Sequence, residues 1–464
     1  MFQAFNRYIS LKFIMLIAME SIALFGGVLL AVWIRLGEPF SILFTDRWNL
    51  LRALMVVTVL QVTYFLNDLY DYRTFNDRKA LLFQFCKATV AATAVLFILF
   101  YLLPGLFLGR GTFLLAICAS AAVVLPIRLL AQKVFALSFL RENILILGTG
   151  DTAKRCAEAI LERTDLGFKV VGFIGEDHRL VGKSLVNPKV VGTVNDLEYF
   201  VRLNDIRSIV IAFEDRRRHM PLRQLLNLKF GGVRIYDHTT IYERMTSKVH
   251  LKNLRASWLV FEESTVLTSL KLAIKRLVDI GAAGFGLVIC LPLFVIVPGL
   301  IKLDSRGPVF FRQRRVGAFG KEFDILKFRT MRVDAERDSG AVWAAEDDPR
   351  VTRVGAWLRK FRIDEIPQFL NIMAGRMSFI GPRPERPEFV EHLERQISYY
   401  GLRHSIKPGL TGWAQVNYPY GASTEDTEEK LQFDLYYLKN MSLFLDVLIL
   451  VKTIKIVLFG RGGR

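Results

Sequence analysis

Residues 275–302 read KRLVDIGAAGFGLVICLPLFVIVPGLIK, and this stretch decides how the C-terminal part of the chain folds. It carries no charge between Asp279 and Lys302, close to the ~20 apolar residues that a helix needs to cross a bilayer. Pro292 and Pro298 interrupt it, and proline breaks or kinks a helix. A straight membrane-spanning helix is therefore a poor fit to this sequence.

The charges around the stretch support the same conclusion, because a crossing helix has asymmetric flanks. Cations stand on both sides: Lys271, Lys275, Arg276, Lys302, Arg306 and Arg312. We therefore predict a re-entrant hairpin over residues 280–301, bent near Pro292, that enters and leaves on one face of the membrane. A true transmembrane helix is the alternative.

Four further apolar stretches occupy the first third of the chain, and each is near the length of a bilayer-crossing helix. They are residues 13–34, 50–66, 81–103 and 112–130. Cations concentrate in the second loop and after the fourth stretch: Arg73, Arg78, Lys79, Arg128, Lys133 and Arg141. By the positive-inside rule, the N-terminus, the second loop and everything after Arg141 face the cytoplasm. Four buried core helices of a soluble protein are the alternative.

The composition agrees with a membrane part joined to a charged soluble part. The 464 residues are 52% hydrophobic and 23% charged, with a mean hydropathy of +0.31 and a net charge of +18. This composition excludes disordered and fibrous proteins, and the basic balance implies an acidic partner such as nucleic acid, anionic lipid or a phosphorylated substrate. The four cysteines form no CxxC pair and predict buried free thiols in a reducing compartment.

Residues 143–150 read NILILGTG, a buried strand that runs into a G-x-G-x-x-A pattern. Alternating short strands and helices follow, which predicts a Rossmann-like parallel α/β domain. Gly148 and Gly150 would let a phosphate approach the helix N-terminus, so a bound nucleotide is one hypothesis. The acidic residue expected ~20 positions later is not cleanly placed, with Glu176 and Asp177 nearest. A structural or regulatory domain that only keeps the fold is the favoured alternative.

Basic side chains and rigid loops dominate the last third of the chain. Residues 312–332 read RQRRVGAFGKEFDILKFRTMR, a run that suits lipid phosphate or a nucleotide diphosphate. Two Gly/Pro-rich loops, GPRP at 381–384 and KPGLTGWAQV at 407–416, present one cation each. The candidate phosphate ligands are Arg315, Lys327, Arg329, Arg383 and Lys407. A solvated basic face is the alternative for any one of them.

Adjacent carboxylates stand beside several arginines in LRKFRIDEIPQ, residues 358–368. Arginines keep a carboxylate ionised, and an ionised carboxylate is a nucleophile or a metal ligand. Neighbouring residues on a helix do not point the same way, so Asp364 and Glu365 would have different roles. A helix N-terminal charge pair is the alternative.

Together these motifs resemble the bacterial sugar transferase family, whose members are polyprenyl-phosphate sugar-1-phosphate transferases with a monotopic catalytic core. The four spans and the Rossmann-like domain are similar to the long form of that family. The motifs that carry the resemblance, in order, are KR-x-x-D at 275–279, KFRTM at 327–331, DEIPQ at 364–368, GPRP at 381–384 and PGLTGWAQV at 408–416.

The resemblance implies a reaction: transfer of a sugar 1-phosphate from a UDP-sugar to undecaprenyl phosphate, with release of UMP. UDP-glucose is the commonest donor that the long form implies, and UDP-galactose is next. Such enzymes initiate exopolysaccharide, capsule or O-antigen synthesis and hand their product to downstream glycosyltransferases. A splitting of the transfer into two steps suits one water-soluble and one lipid-embedded substrate.

The resemblance also implies roles for residues. Asp364 would be the nucleophile that forms a phosphosugar–enzyme intermediate, and Glu365 its dyad partner, both tied to Mg²⁺. Arg359 would lie near the polyprenyl phosphate and Arg383 would hold the nucleotide diphosphate. The residues expected to pin the hairpin at the interface are Lys275, Arg276 and Asp279, with the bend at Pro292.

The predicted architecture is membrane α plus α/β. It has a four-helix transmembrane domain (1–138), a Rossmann-like domain (139–255), a linker (256–270) and a mainly helical catalytic domain (271–464) with a re-entrant membrane helix. We predict an interfacial amphipathic helix over residues 443–459, with an ordinary packing helix as the alternative. The expected location is the bacterial inner membrane, with the soluble domains cytoplasmic, a homodimer through the middle domain and no nucleic acid partner.

Two rival functions remain at this point. A membrane-bound nucleotide-sugar epimerase or dehydratase would use NAD in the central domain. Such enzymes need a Tyr-x-x-x-Lys pair after the glycine pattern, and residues 143–250 contain none. A non-enzymatic scaffold or sensor is the second rival, favoured if residues 271–464 act on no UDP-sugar.

Overall fold

The architecture is described from a computed structural model of the chain. Contacts divide the chain into two compact units, Met1–Met245 and Thr246–Arg464. Residues 256–268 of the predicted linker lie outside the described part. The described residues are 11–37, 47–107, 109–136, 141–163, 167–213, 220–251, 269–333, 335, 348–418, 421 and 423–458.

Helices fill the described beginning of the chain, as the apolar stretches predict. They are α1 Leu11–Leu36, α2 Arg47–Leu66, α3 Tyr72–Asn76, α4 Arg78–Leu102 and α5 Arg110–Ala136. All except α3 are long and apolar enough to cross a membrane, and only 28–33% of each apolar window is buried inside the protein. The exposed remainder is apolar, so its natural environment is lipid and the chain is a membrane protein.

Arg128 corrects the charge count behind the predicted topology. It lies inside α5, not in a flanking loop, and its side chain is fully buried. Its guanidinium lies 2.8 Å from the Glu20 carboxylate and donates to the Leu69 carbonyl, also at 2.8 Å. The Tyr70 hydroxyl donates to the same Glu20 oxygen at 2.5 Å. Arg128 therefore gives no positive-inside signal, which at this end of α5 comes from Lys133 in the last turn of the helix and Arg141 beyond it.

The prediction of buried thiols is wrong for two of the four cysteines. Cys86 on α4 and Cys118 on α5 are exposed, because they stand on the apolar outer faces of their helices. Cys156 is buried and Cys290 is half-buried. All four are free thiols, which agrees with the predicted lack of a disulfide framework.

The predicted parallel α/β fold is confirmed by a five-stranded sheet with the order β3-β2-β1-β4-β5, every pair parallel. The strands are β1 Glu142–Leu147, β2 Phe168–Gly175, β3 Val190–Thr193, β4 Ser208–Ile211 and β5 Arg234–Asp237. The helices between and after them are α6 Asp151–Glu162, α7 Leu197–Leu203, α8 Leu222–Phe230 and α9 His238–Thr246. Alternate β1 residues face opposite sides: Ile144 and Ile146 pack towards α6 and α9, Leu145 and Leu147 towards α7 and α8.

Backbone conformation and close packing require glycine at position 148, directly after β1. Its φ is +125°, and a Cβ there would stand 2.5 Å from the Ala212 carbonyl oxygen, so no larger residue fits. Gly150 precedes α6 as its N-cap. Asp177 accepts a hydrogen bond from the Arg179 amide and caps a local turn. The tight turn is explained by packing alone, and nucleotide binding at Gly148 and Gly150 stays a prediction.

The second unit is mainly helical, as predicted. Its helices are α10 Ser269–Ile289, α11 Leu293–Asp304, α12 Arg353–Lys360, α13 Gln368–Met373, α14 Pro387–Gln396, α15 Trp413–Asn417, α16 Thr424–Asn440 and α17 Leu443–Leu458. Strands β6 Phe310–Val316 and β7 Glu322–Phe328 form an antiparallel hairpin, and β8 Ser378–Ile380 pairs with β9 Gly409–Thr411 in parallel.

The apolar stretch of residues 280–301 is broken at Pro292, as predicted, whereas Pro298 lies inside α11. Helices α10 and α11 meet at Pro292 with a bend of 61°. Ala283 of α10 packs with Ile325, Ile372 and Met377, whereas α11 packs against β7 and α12. Both arms therefore rest on the same β6–β7 hairpin.

Helix α17 covers the predicted interfacial tail, and its polar side chains point into the protein. Asp446 is buried and pairs with Lys275, and Lys452 donates to the Asn417 side chain at 2.7 Å. Val447 and Ile454 are exposed instead. The helix thus packs through polar contacts and presents apolar side chains outwards.

Candidate active site

The adjacent carboxylates lie in a turn between α12 and α13. Helix α12 packs so closely on the Thr330 carbonyl that a Cβ at Gly355 would stand 2.0 Å from its oxygen. The chain then reverses at Arg362, whose φ of 57° is left-handed, and Ile363–Glu365 forms a single 3₁₀ turn. A non-glycine residue in this conformation is strained, and such strain concentrates at functional sites.

Glu365 is the centre of a cationic cluster. Its Oε1 atom lies 2.9 Å from Arg383 Nη2, 3.2 Å from Lys327 Nζ and 3.4 Å from Arg362 Nη1. Burial opposes ionisation of this carboxyl, yet Arg383, Lys327 and Arg362 outweigh it and hold the pKa of Glu365 well below its usual value. Glu365 is therefore a fixed anion that organises three cations.

Asp364 has the opposite electrostatic character. Only 6% of the residue is exposed, and burial raises its pKa above the usual value, although Lys327 acts to lower it. Lys327 Nζ is 3.9 Å from Oδ2, and no described residue hydrogen-bonds to Oδ1. A buried carboxylate with one oxygen lacking a described partner is a poorly solvated, reactive group.

Arg383 reaches Glu365 from the GPRP loop, and buried groups fix that loop from behind. Arg403 Nη2 donates to the Arg383 carbonyl at 3.0 Å and lies 2.8 Å from Asp434, which is 2% exposed. Arg315 Nη1 donates to the Pro384 carbonyl at 3.1 Å. The predicted Arg315 is thus a neighbour that holds the loop, and its charge also lowers the pKa of Lys327 after the larger effect of burial.

Arg359 also belongs to this site. Its Nε donates to the Thr330 hydroxyl at 2.9 Å, and its charge weakly opposes the rise in the pKa of Asp364 that burial causes. The Asn371 side chain joins α13 to β7, because it accepts from the Leu326 amide and donates to the Asp324 carbonyl. The elements that carry Lys327 and the carboxylates are therefore tied together.

Arg329 is the predicted phosphate ligand that the structure places elsewhere. Its guanidinium donates to the Ser305 and Arg306 carbonyls at 2.8 and 3.0 Å and to the Ser305 hydroxyl. These acceptors follow the last turn of α11, so Arg329 closes the C-terminal end of that helix.

Lys407 is likewise not brought to the carboxylates. It lines a separate cleft with Gly375 and Arg376, which follow α13, whereas the carboxylates precede that helix. Partial burial and the nearby charge of Arg276 lower its pKa. Its predicted role at the same phosphate site is not supported by this geometry.

The residues predicted at the mouth of the hairpin attach α10 to the rest of the unit. Lys275 pairs with Asp446 at 2.8 Å, and Arg276 donates to the Ile372 and Met373 carbonyls at the end of α13. Asp279 accepts from the Phe379 amide at 3.0 Å. Protein groups satisfy all three side chains.

Sequence reasoning missed Arg362, Arg403 and Asp434. Arg362 stands two residues before Asp364 in the basic motif, so its charge was a usable signal. The Arg403–Asp434 pair joins separate elements, and no local sequence pattern predicts it.

Two known protein families match parts of this sequence. Residues 270–460 match the bacterial sugar transferase family, and residues 66–236 match a family described as a CoA-binding domain. A UDP-N-acetylgalactosamine-undecaprenyl-phosphate N-acetylgalactosaminephosphotransferase of Aeromonas hydrophila is 44% identical over 52% of this chain and 56% of its own length. An undecaprenyl-phosphate glucose phosphotransferase of Komagataeibacter xylinus is 32% identical over 70% of this chain and 60% of its own length.

The chain thus matches less than two thirds of the length of these two relatives. A third relative is matched more fully: a UDP-glucose:undecaprenyl-phosphate glucose-1-phosphate transferase of Klebsiella pneumoniae is 31% identical over 73% of each chain. The residues that match the sugar transferase family include the carboxylate turn and most of the bent pair α10–α11. The chain belongs to the bacterial sugar transferase family.

Proposed function

We propose that this protein transfers a sugar 1-phosphate from a UDP-sugar to undecaprenyl phosphate and releases UMP. The observation that carries the proposal is Asp364, a buried carboxylate with one oxygen that no described residue bonds, beside Lys327 and the cluster around Glu365. A diphosphate carries negative charge that cations must offset before a carboxylate can approach it. The named activities of the relatives support the same reaction.

In the first step, Asp364 attacks the sugar-bearing phosphorus of the UDP-sugar, the bond to the bridging oxygen breaks and UMP leaves. In the second, an oxygen of undecaprenyl phosphate attacks that phosphorus and the aspartyl bond breaks. The lipid diphosphate sugar is released and Asp364 is regenerated. Lys327, Arg362 and Arg383 hold the phosphates, and Arg359 stands nearest the lipid-borne phosphate in this proposal.

Magnesium fits the donor set. Asp364 offers an oxygen without a described partner, and Mg²⁺ commonly binds one or two carboxylates together with substrate phosphates. The described residues include no group of three or more acidic, His or Cys side chains, so the substrate would supply the remaining ligands. Asp364 and Glu365 would hold the ion, which would supply positive charge for the diphosphate.

The decisive experiment is a UMP-release screen of UDP-sugars with undecaprenyl phosphate and Mg²⁺. We expect Asp364→Asn to lower transfer at least about 1000-fold, because the amide cannot form the covalent intermediate. Glu391→Gln, a change at an exposed acid of α14, is the matched control. Near-normal UMP release and lipid product with Asp364→Asn would overturn the proposal.

The relatives differ in the sugar that their names give. UDP-glucose is our first candidate, which the Komagataeibacter xylinus and Klebsiella pneumoniae proteins support. UDP-N-acetylgalactosamine is the second, because the Aeromonas hydrophila protein shares 44% identity. A ratio of kcat/KM values for the two donors decides between them.

We further propose that α10 and α11 enter and leave the membrane on one face. Both arms of the hairpin are tied to the same folded unit: Arg276 and Asp279 fix α10, and Arg329 fixes the end of α11. Lys271→Cys and Arg306→Cys, each in a chain whose native cysteines are serine, should react with an impermeant maleimide from the same side. Labelling from opposite sides would show a crossing helix instead.

That side is the cytoplasm in our proposal, since the nucleotide donor is made there, and the membrane is the bacterial inner membrane. Lys79, Lys133 and Arg141 support this orientation. A homodimer, transfer of the product to downstream glycosyltransferases and a nucleotide ligand at Gly148 and Gly150 also remain proposals. Size-exclusion chromatography with light scattering tests the first, and thermal-shift titration with nucleotides tests the last.

A further inference from the structure

A second cleft lies in the C-terminal unit, apart from the carboxylate turn. Its volume is about 620 Å³, and it opens beside the turn between β6 and β7. The dyad precedes α13, whereas Gly375 and Arg376 of the cleft follow that helix, so the two sites stand at opposite ends of α13. The charged residues that line the cleft are Arg314, Lys321, Glu322, Asp324, Arg376 and Lys407.

The charges around this cleft do not balance. Four cations and two acids line it, and Arg314 is already paired with Glu322 at 3.6 Å. Within the described part of the chain, neither Arg376 nor Lys407 forms an ion pair. An uncompensated pair of cations in a concave surface attracts an anion.

Two cations approach each other beside Gly375. Its φ is +78°, and a Cβ there would stand 3.4 Å from Arg276 Nη2 and 3.8 Å from Lys407 Nζ. Arg276 cannot turn away without giving up its bonds to the Ile372 and Met373 carbonyls. Partial burial and the Arg276 charge lower the pKa of Lys407, and Asp279 offsets this only in part. An anion between these cations would relieve the repulsion.

The position of Arg276 on α10 indicates where such an anion would come from. The apolar stretch begins one helical turn later, after the buried Asp279, and Leu277 and Val278 between them are exposed. Arg276, Gly375 and Lys407 therefore lie at the level where the hairpin leaves the aqueous phase, which is the level of lipid phosphates.

We propose that this cleft binds a phosphate-bearing ligand, separate from the substrates at the carboxylate turn, and that the ligand is the headgroup of an anionic phospholipid. Arg376 and Lys407 would contact the phosphate, while Arg276 stays bonded to α13. A lipid held there would fix the base of the membrane hairpin.

The test uses the full-length protein in a neutral detergent. Short-chain phosphatidylglycerol, phosphatidylcholine of the same length, and inorganic pyrophosphate are each titrated, and the shift in Tm gives an apparent Kd. The cleft variant is R376Q/K407Q. The matched control is K302Q/R306Q, which removes the same charge at the other foot of the hairpin. K407Q alone is a second, milder cleft variant.

We expect phosphatidylglycerol to bind wild type and control alike and the cleft variants about tenfold more weakly, with no binding of phosphatidylcholine. Weakening of pyrophosphate binding alone would support the phosphate site and overturn its assignment to lipid. Equal loss of phosphatidylglycerol binding in cleft and control variants, or no loss in either, would overturn the site. Because the readout is binding, this result is independent of the transfer assay.

Discussion

Two clusters of buried charge, one among the membrane helices and one at the carboxylate turn, use the same residue types for different ends. Glu20 and Arg128 are fully buried, and the guanidinium is shared between one carboxylate and one backbone carbonyl. Glu365 is also buried, yet Lys327, Arg362 and Arg383 keep 19–33% of their side-chain surface. The first cluster is sealed, and the second is open on its cationic side.

The difference lies in the balance of charge as well as in exposure. One acid faces one cation in the membrane cluster, with the Tyr70 hydroxyl as a further donor. At the carboxylate turn, three cations surround Glu365 and Asp364 keeps an oxygen without a described partner. Burial of a charge therefore does not by itself identify a site, whereas surplus charge facing solvent is a signal for an anionic substrate.

The largest effect on stability should come from breaking the sealed pair. Glu20→Gln and Arg128→Met should each lower the free energy of unfolding by about 3 kcal/mol, because each leaves a buried partner uncompensated. The double variant should lose less than the sum. Thermal unfolding in detergent measures this, with Lys133→Gln as an exposed control on α5. Single variants as stable as the control would contradict a structural role.

The open cluster should respond in activity more than in stability. Glu365→Gln should lower kcat/KM about 100-fold, because three cations lose the anion that positions them. Its unfolding free energy should change by no more than about 1 kcal/mol, because Lys327, Arg362 and Arg383 can be hydrated where they are exposed. A stability loss as large as that of Glu20→Gln, with activity retained in the folded fraction, would contradict the proposed difference between the two clusters.

The smallest effect concerns pH. Asp364 must be ionised to attack, and burial raises its pKa, so kcat/KM should fall as pH drops through that raised value. Lys327 acts to lower this pKa. In Lys327→Met, the acidic limb of the kcat/KM pH profile should therefore shift to higher pH by about one unit. Lys327→Arg keeps the charge and should leave the limb near its original place. A shift of the acidic limb to lower pH in Lys327→Met would contradict its assignment to Asp364.

Much of the fold was predictable because its signals are local. The apolar stretches predicted α1, α2, α4 and α5, and Pro292 predicted the break between α10 and α11. The parallel sheet followed from alternating strands and helices, although β5 was missed because Arg234–Asp237 has no buried apolar run. Packing around Ile235 and Tyr236 makes that strand, not its own hydropathy.

The site was predictable in its motifs and less so in its membership. Lys327, Asp364, Glu365 and Arg383 do converge, whereas Arg329 and Lys407, equally basic in sequence, lie elsewhere. The type of a residue indicates which groups its side chain can bind. The direction of the side chain depends on how distant strands, helices and loops pack, which a motif does not contain.

The sequence by itself determined the membrane helices, the class of the sheet and the chemistry of the last third of the chain, because hydropathy and charge add up along neighbouring residues. Only the tertiary structure decided which charges meet. Glu20 and Arg128 are 108 residues apart, and Lys327 and Glu365 are 38 apart. Such pairs depend on how distant elements pack, and electrostatic energy follows distance in space.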